Sequence, residues 1–201
     1  MNTLPRRKTP SSALVILIVT VLAYFIQTSG LINAAPLALW PLGAGFAPWQ
    51  LITYGFLHGG LMHLFLNMFA LYMFGPLIER AWGPKRFLIY YFVCMVGAGL
   101  VQLVVTAMMG APRPTIGASG AMFGLLLAFG MMYPNERILL IFPPIPMKAK
   151  WFVIGYGALT LVFGMTGTMA GVAHFAHLGG MLFGLILILY WGRSDFLRRR
   201  R

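Results

Sequence analysis

Residues 87–109 read FLIYYFVCMVGAGLVQLVVTAMM, a stretch with no Asp, Glu, Lys or Arg. About 20 apolar residues are enough for a helix to cross the ~30 Å hydrocarbon core of a bilayer. A helix that is apolar all round sits either in a large protein core or in lipid. Composition decides between them. The chain has 201 residues, 60% of them hydrophobic and 9% charged, with a mean hydropathy of +0.83. A soluble domain is nearer half apolar and a quarter charged, so the surplus apolar surface has to face lipid. Working outward from 87–109, comparable stretches lie at 12–33, 54–76, 116–133, 150–168 and 172–192. The expected fold class is all-α, a polytopic membrane protein with a bundle of six transmembrane helices. Residues 1–11 form an N-terminal tail, 12–192 the helical domain and 193–201 a basic tail, which leaves no room for a separate soluble domain.

The net charge is +12. Its distribution points to membrane topology rather than to nucleic acid. Arg6, Arg7 and Lys8 form one cluster, Arg80, Lys85 and Arg86 a second, and Arg137, Lys148 and Lys150 a third. Arg193 with Arg198, Arg199, Arg200 and Arg201 closes the chain. Counting spans puts all of these on one side of the membrane and only Arg113 on the other, so both termini are expected in the cytoplasm. Contact with anionic lipid accounts for the terminal arginines, and no nucleic-acid-binding motif is present. Short loops and basic termini point to a prokaryotic plasma membrane. Arg6 to Lys8 before an apolar run, with Asn33-Ala34-Ala35 after it, also resembles a signal peptide. That run exceeds the usual h-region of about 7–15 residues, so it is read as a span. The single cysteine, Cys94, lies mid-span, which excludes an internal disulfide framework and any multi-cysteine metal site.

The loops add detail. Residues 34–50 carry Pro36, Trp40, Pro41, Phe46, Pro48 and Trp49 and no charge. They are expected to rest on, or dip into, the outer leaflet. A turn from Gly75-Pro76 to Gly83-Pro84 is expected to close a cytoplasmic hairpin, and residues 135–146, with three prolines, to form a cytoplasmic connector.

Polar groups within the spans are costly and therefore functional candidates. The second span holds His58, His63 and Asn67, the fourth Ser119, and the sixth His174 and His177. All lie in the outer part of an even-numbered span, with Ser119 and His177 about 5–10 Å below the surface at roughly 1.5 Å per residue. The odd-numbered spans are read as nearly free of such groups, Gln102 being the main exception. His63 and Asn67 share a helix face, as do His174 and His177. His58 points elsewhere and is read as anchoring a loop or the start of a helix. Ser119 stands in Gly117-Ala118-Ser119-Gly120 at a helix start, where flanking glycines admit a close approach. Free amides and the positive end of the helix dipole favour a developing oxyanion there. Gly120 with Gly124, and Gly180 with Gly184, have the spacing that lets membrane helices pack at short range.

Elimination narrows the chemistry. The three acids are Glu79, Glu136 and Asp195, all expected in cytoplasmic loops or the tail. An intramembrane aspartyl site, a His-Glu-x-x-His zinc site and a Ser-His-Asp triad are thereby excluded. A Ser-His dyad remains, with His177 as the base that takes the hydroxyl proton and later protonates the leaving amine. Phe123, one turn below Ser119, offers a ring for that imidazole to stack on. The Ser119 amide, His63 and Asn67 are the candidate oxyanion donors. No metal or other cofactor is required.

Taken together, Gly-x-Ser-Gly at Gly117 to Gly120, His58 with His63 and Asn67, and Ala176-His177 with Gly180 and Gly184 resemble the rhomboid intramembrane serine proteases, prokaryotic six-helix type. The resemblance runs from the first span to the sixth. It implies a six-helix rhomboid fold, a Ser119–His177 dyad, and oxyanion roles for His63 and Asn67. Gly117, Ala118, Gly120, Phe123, His174, Gly180, Gly184 and His58 are the supporting positions. Its implied partners are the bilayer and transmembrane protein substrates, cut near their outer ends and usually after a small residue. Two positions depart from the pattern. Phe123 stands where many members have tyrosine, and Trp49-Gln50 stands where some have Trp-Arg. Two other readings stay open. One is a metal-binding transporter or sensor built on the four histidines, and the other is a relative that escorts membrane clients without cutting them. His174 also competes with His177 for the role of base.

Overall fold

The computed structural model describes residues 10–110, 113–139, 144–169 and 172–198. Arg6, Arg7, Lys8, Arg199, Arg200 and Arg201 lie outside them. Helices dominate: α1 (Ser12–Thr28), the single turn α2 (Gln50–Thr53), α3 (Leu61–Trp82), α4 (Pro84–Met109), α5 (Ser119–Met132), α6 (Ala149–Thr166) and α7 (His174–Arg198). By length and composition α3, α4, α6 and the part of α7 up to Gly192 are able to cross a membrane. The protein is therefore a helical, multi-pass membrane protein. Two apolar helices are shorter, α1 with 17 residues and α5 with 14. Helix α5 sits at the centre, against α3, α4, α6 and α7, and almost every side chain from Gly120 to Gly130 is buried. Leu14, Ile18, Leu22 and Phe25 on α1, and Trp151, Ile154 and Val162 on α6, instead point outward, as expected of lipid-facing surfaces.

Several boundaries differ from the sequence reading, each for a local reason. Helix α1 stops at Thr28, not 33, because Gly30 takes the left-handed conformation that ends helices (φ +74). Helix α3 starts later than 54 because Tyr54–Phe56 form a 3-10 turn. It then continues through Pro76 to Trp82, so the expected turn at Gly75-Pro76 does not exist. Gly75 instead lets α1 come close, since a Cβ there would lie 2.8 Å from that of Ala13. The chain reverses only at Gly83 (φ +80), before Pro84 in the first turn of α4. The connector after α5 holds β1 (Arg137–Leu139) and β2 (Pro146–Lys148), an antiparallel pair with Ile138 opposite Met147. Helix α7 runs past 192 to Arg198.

Residues 34–50 are fastened to the protein by hydrogen bonds. Leu39 and Thr115 exchange backbone bonds of 3.0 and 2.9 Å. Gln50, 2% exposed, accepts from the Trp40 amide at 3.0 Å and donates to the Pro36 and Gly45 carbonyls at 3.2 and 3.1 Å. One glutamine side chain thus knits the loop together where some rhomboids carry arginine. The Trp49 side chain remains 57% exposed.

Glu79, expected in a loop, lies on the last turns of α3 and is only 9% exposed. Its carboxylate accepts from the Ser11 hydroxyl, from the Ser12 amide at 2.7 Å and from the Ala13 amide at 3.1 Å. It therefore caps the N-terminus of α1 from a neighbouring helix, satisfying free amides and meeting the positive end of the dipole. Glu79→Ala is expected to destabilise the protein by about 1–3 kcal/mol, read as a lowered melting temperature in detergent, whereas Glu136→Ala should be nearly neutral because Glu136 is exposed.

Candidate active site

The loop before α5 is shaped by Gly117. Its φ of +120° disfavours any side chain, and a Cβ there would lie 2.7 Å from His63 Cε1. The Gly117 amide donates to the Tyr54 carbonyl at 2.9 Å. After the buried Ala118, Ser119 opens α5, where the first-turn amides have no partner within the helix. The Ser119 hydroxyl and His177 Nε2 share a hydrogen bond of 2.7 Å; when the hydroxyl donates, the imidazole proton is on Nδ1.

That distance depends on glycines. A Cβ at Gly180 would collide with the Gly120 carbonyl oxygen, and one at Gly120 would collide with Ala98. Gly124 likewise leaves room for Cys94, and Gly184 for the Tyr90 hydroxyl. Helices α5 and α7 therefore meet backbone to backbone. Cys94 is fully buried against these glycines.

His177, 8% exposed, lies flat on Phe123, with centroids 4.2 Å apart and planes 11° from parallel. The stack continues to Tyr156 at 4.8 Å and on to Phe152 at 5.6 Å. Tyr156 was not singled out from sequence, since an aromatic on a lipid span carries no motif. His174 takes a different path. Its Nε2–H donates to the Thr168 carbonyl at 3.0 Å, and its ring stands 6.2 Å from that of His177. The structure thus pairs Ser119 with His177, not with His174.

Opposite lies α3. His63 faces Gly117, and Asn67 donates to the His63 carbonyl at 2.8 Å with one of its two amide hydrogens. Both line, with Ser119, Phe123 and His177, a cavity of about 970 Å³ that continues between α3 and α6 past Phe74 and Phe152 to Ile138 and Leu139. His58 is 1% exposed and sits edge-on to His63, with centroids 5.0 Å apart. The first helix also reaches this region, contrary to the sequence reading of the odd-numbered spans. Gln27 accepts from the His58 amide at 3.1 Å and donates to its carbonyl at 2.9 Å.

No acid stands level with Ser119 and His177. Along their helices Glu79 is 16 residues beyond His63 and Asp195 is 18 beyond His177, or about 24 and 27 Å at 1.5 Å per residue. Glu136 follows the far end of α5. Among the described residues, no group of three or more His, Cys, Asp or Glu side chains is arranged to hold a metal ion.

Helices long enough to span a bilayer surround a serine within hydrogen-bond distance of a histidine, in what is a multi-pass membrane protein. The chain belongs to the rhomboid family, its residues 45–194 matching the Rhomboid domain. Members are generally intramembrane serine proteases that act on membrane proteins. The chain is 29% identical over 154 residues to Rhomboid protein 1, mitochondrial, of Saccharomyces cerevisiae, covering 76% of this chain and 44% of that one. Identity is 34% over 165 residues to Rhomboid-like protein 11, chloroplastic, of Arabidopsis thaliana, covering 75% and 55%. With the Presenilin-associated rhomboid-like protein, mitochondrial, of Rattus norvegicus it is 34% over 140 residues, covering 67% and 36%. The chain thus spans about half, or less, of the length of these relatives. The Rhomboid match starts after α1, so that helix adds to the matched region rather than belonging to it.

Proposed function

We propose that this chain is an intramembrane serine endopeptidase that cuts transmembrane segments near their outer ends through a Ser119–His177 dyad. The observation that carries this reading is the 2.7 Å hydrogen bond between the Ser119 hydroxyl and His177 Nε2, in a cavity lined by residues of α3 and α6. His177 takes the hydroxyl proton as Ser119 Oγ attacks the scissile carbonyl. The Ser119 amide, His63 Nε2–H and the second Asn67 amide hydrogen receive the oxyanion. His177 then protonates the leaving amine, and a water hydrolyses the acyl-enzyme with the same histidine as base. With no carboxylate near, the stack on Phe123 and Tyr156 does the orienting that an acid does in a triad.

The depth of the cut follows from α5. Its 14 residues span about 21 Å, roughly 9 Å less than the hydrocarbon core. A helix anchored at the cytoplasmic side therefore ends below the outer surface, and the positive-inside pattern orients it so. Six spans, counting α1 and α5, bring both termini to the cytoplasm. Short loops and basic termini favour a prokaryotic plasma membrane, while the organelle names of the relatives belong to those proteins. Fractionation of the native host decides the compartment.

The test is a purified transmembrane reporter in proteoliposomes, with the product termini sequenced. A cut within about two helical turns of the outer boundary is expected. A cut on the cytoplasmic side, or a reporter bound but never cut, would overturn the reading. In the same assay Phe123→Leu, which keeps bulk but removes the stack, is expected to lower kcat by about 2- to 10-fold with little change in KM.

A further inference from the structure

We infer that Gln27, on α1, is a positioning residue that sets the tautomer of His63 through a single peptide group. The inference rests on the protease reading for its consequence, though not for its geometry. The group is the peptide joining His58 to Gly59. Its carbonyl accepts from Gln27 Nε2 at 2.9 Å, and its N–H donates to His63 Nδ1 at 3.3 Å. A nitrogen that accepts a hydrogen bond carries no proton, so the proton of the neutral His63 ring resides on Nε2. Nε2 is on the side of the ring that lies against Gly117, two residues from the nucleophile. The chain of bonds therefore runs from Gln27 through the peptide to His63 and leaves a donor aimed at the oxyanion position. Bonds in series through one peptide also polarise one another.

The rest of the turn is built to hold this arrangement. Gln27 grips the residue before the peptide as well, accepting from the His58 amide at 3.1 Å. A side-chain amide binding a backbone N–H and C=O together fixes the orientation of the segment in a way one bond does not. The His58 ring adds the second restraint, edge-on to His63 at 5.0 Å. Neither of its ring nitrogens has a hydrogen-bond partner among the described residues, so it acts on His63 by contact. The 3-10 turn just before it, Tyr54–Phe56, receives the Gly117 amide on the Tyr54 carbonyl. Helix α1, outside the residues that match the Rhomboid domain, thus enters the active site at second hand.

The test compares wild type with Gln27→Met and Gln27→Glu in the full-length protein. Methionine keeps length and bulk without hydrogen bonding, while ionised glutamate keeps the acceptor for the His58 amide and loses the donor to its carbonyl. Two readouts are taken. One is the ring 15N spectrum of His63, assigned with His63→Ala, and the other is reporter cleavage resolved into kcat and KM. In wild type His63 should show the Nε2–H tautomer. In both variants the ring shifts should move toward a mixture, and kcat should fall about tenfold with KM unchanged. Unchanged ring shifts in Gln27→Met overturn the inference, whether or not activity falls, because a merely structural loss lowers activity without touching the tautomer. If wild type itself does not cleave while the ring shifts respond, the protease reading fails and the relay stands.

Discussion

Ser119→Ala is expected to reduce reporter cleavage to background, a loss on the order of 10⁴-fold or more. The hydroxyl that forms the new bond to the substrate carbonyl is gone. Thr115, which also lines the cavity, stands four positions earlier and has no hydrogen bond to His177 among the described residues. His177→Ala should be about as severe, and the double variant no worse, because nucleophile and base act as one unit. Folding should hardly notice Ser119→Ala. The change removes one hydrogen bond, to His177, worth about 1 kcal/mol net, and leaves the α5–α7 backbone contact intact. Progress curves with matched melting curves separate the two effects. Substantial cleavage by Ser119→Ala would remove the nucleophile from the account.

The second large effect is expected at Gly180. A methyl there meets the Gly120 carbonyl oxygen, which is backbone in the first turn of a central helix and has nowhere to move. Overpacking a core typically costs about 1–3 kcal/mol, and more against rigid neighbours. Gly180→Ala should therefore lower the melting temperature by several degrees. It should also separate α7 from α5, lengthening the Ser119–His177 contact and cutting kcat by about 100-fold or more, since a misplacement near 1 Å is enough. Gly155→Ala on α6 is the control. Nothing lies within 4 Å of a Cβ there, and alanine is the better helix former by about 1 kcal/mol, so stability should hold or rise. Equal behaviour of the two alanines would mean that the glycine contact is not what sets the dyad.

These two sites were legible in the sequence for different reasons. Ser119, His177, His63 and Asn67 stood out because an apolar span makes each polar group conspicuous, and because their spacing carries a family resemblance. Gly120, Gly124, Gly180 and Gly184 stood out by period. Spacing alone does not separate His177 from His174, since both lie on one helix face, and the preference for His177 came from the resemblance at Ala176-His177. The geometry adds that Ser119 lies 2.7 Å from His177, while His174 bonds to the Thr168 carbonyl.

What escaped the reading had no local signature. Gln27 lies 31 residues from the backbone it holds, and one glutamine in a lipid span does not announce its partner. Tyr156 looked like one more apolar aromatic, because stacking depends on how α6 turns against α5. Pro76 suggested a turn by its ordinary habit, yet a membrane helix tolerates proline where neighbouring groups re-satisfy the freed carbonyl. Glu79 looked like a loop charge because its partners belong to the start of α1, 66 to 68 residues earlier. The small hairpin of β1 and β2 was hidden by prolines that read as irregular chain. Family membership rests on residues 45–194. The geometry adds that the first helix also bears on the site.

The central claim is that Ser119 is a nucleophile activated by His177, and covalent labelling addresses it without any choice of substrate. Purified protein is treated with a fluorophosphonate, and the adduct is located by peptide mass mapping. The account predicts one adduct, on Ser119, in wild type, none in Ser119→Ala, and labelling slowed to background in His177→Ala. An adduct that persists in Ser119→Ala, or a wild-type protein that never labels, would contradict it.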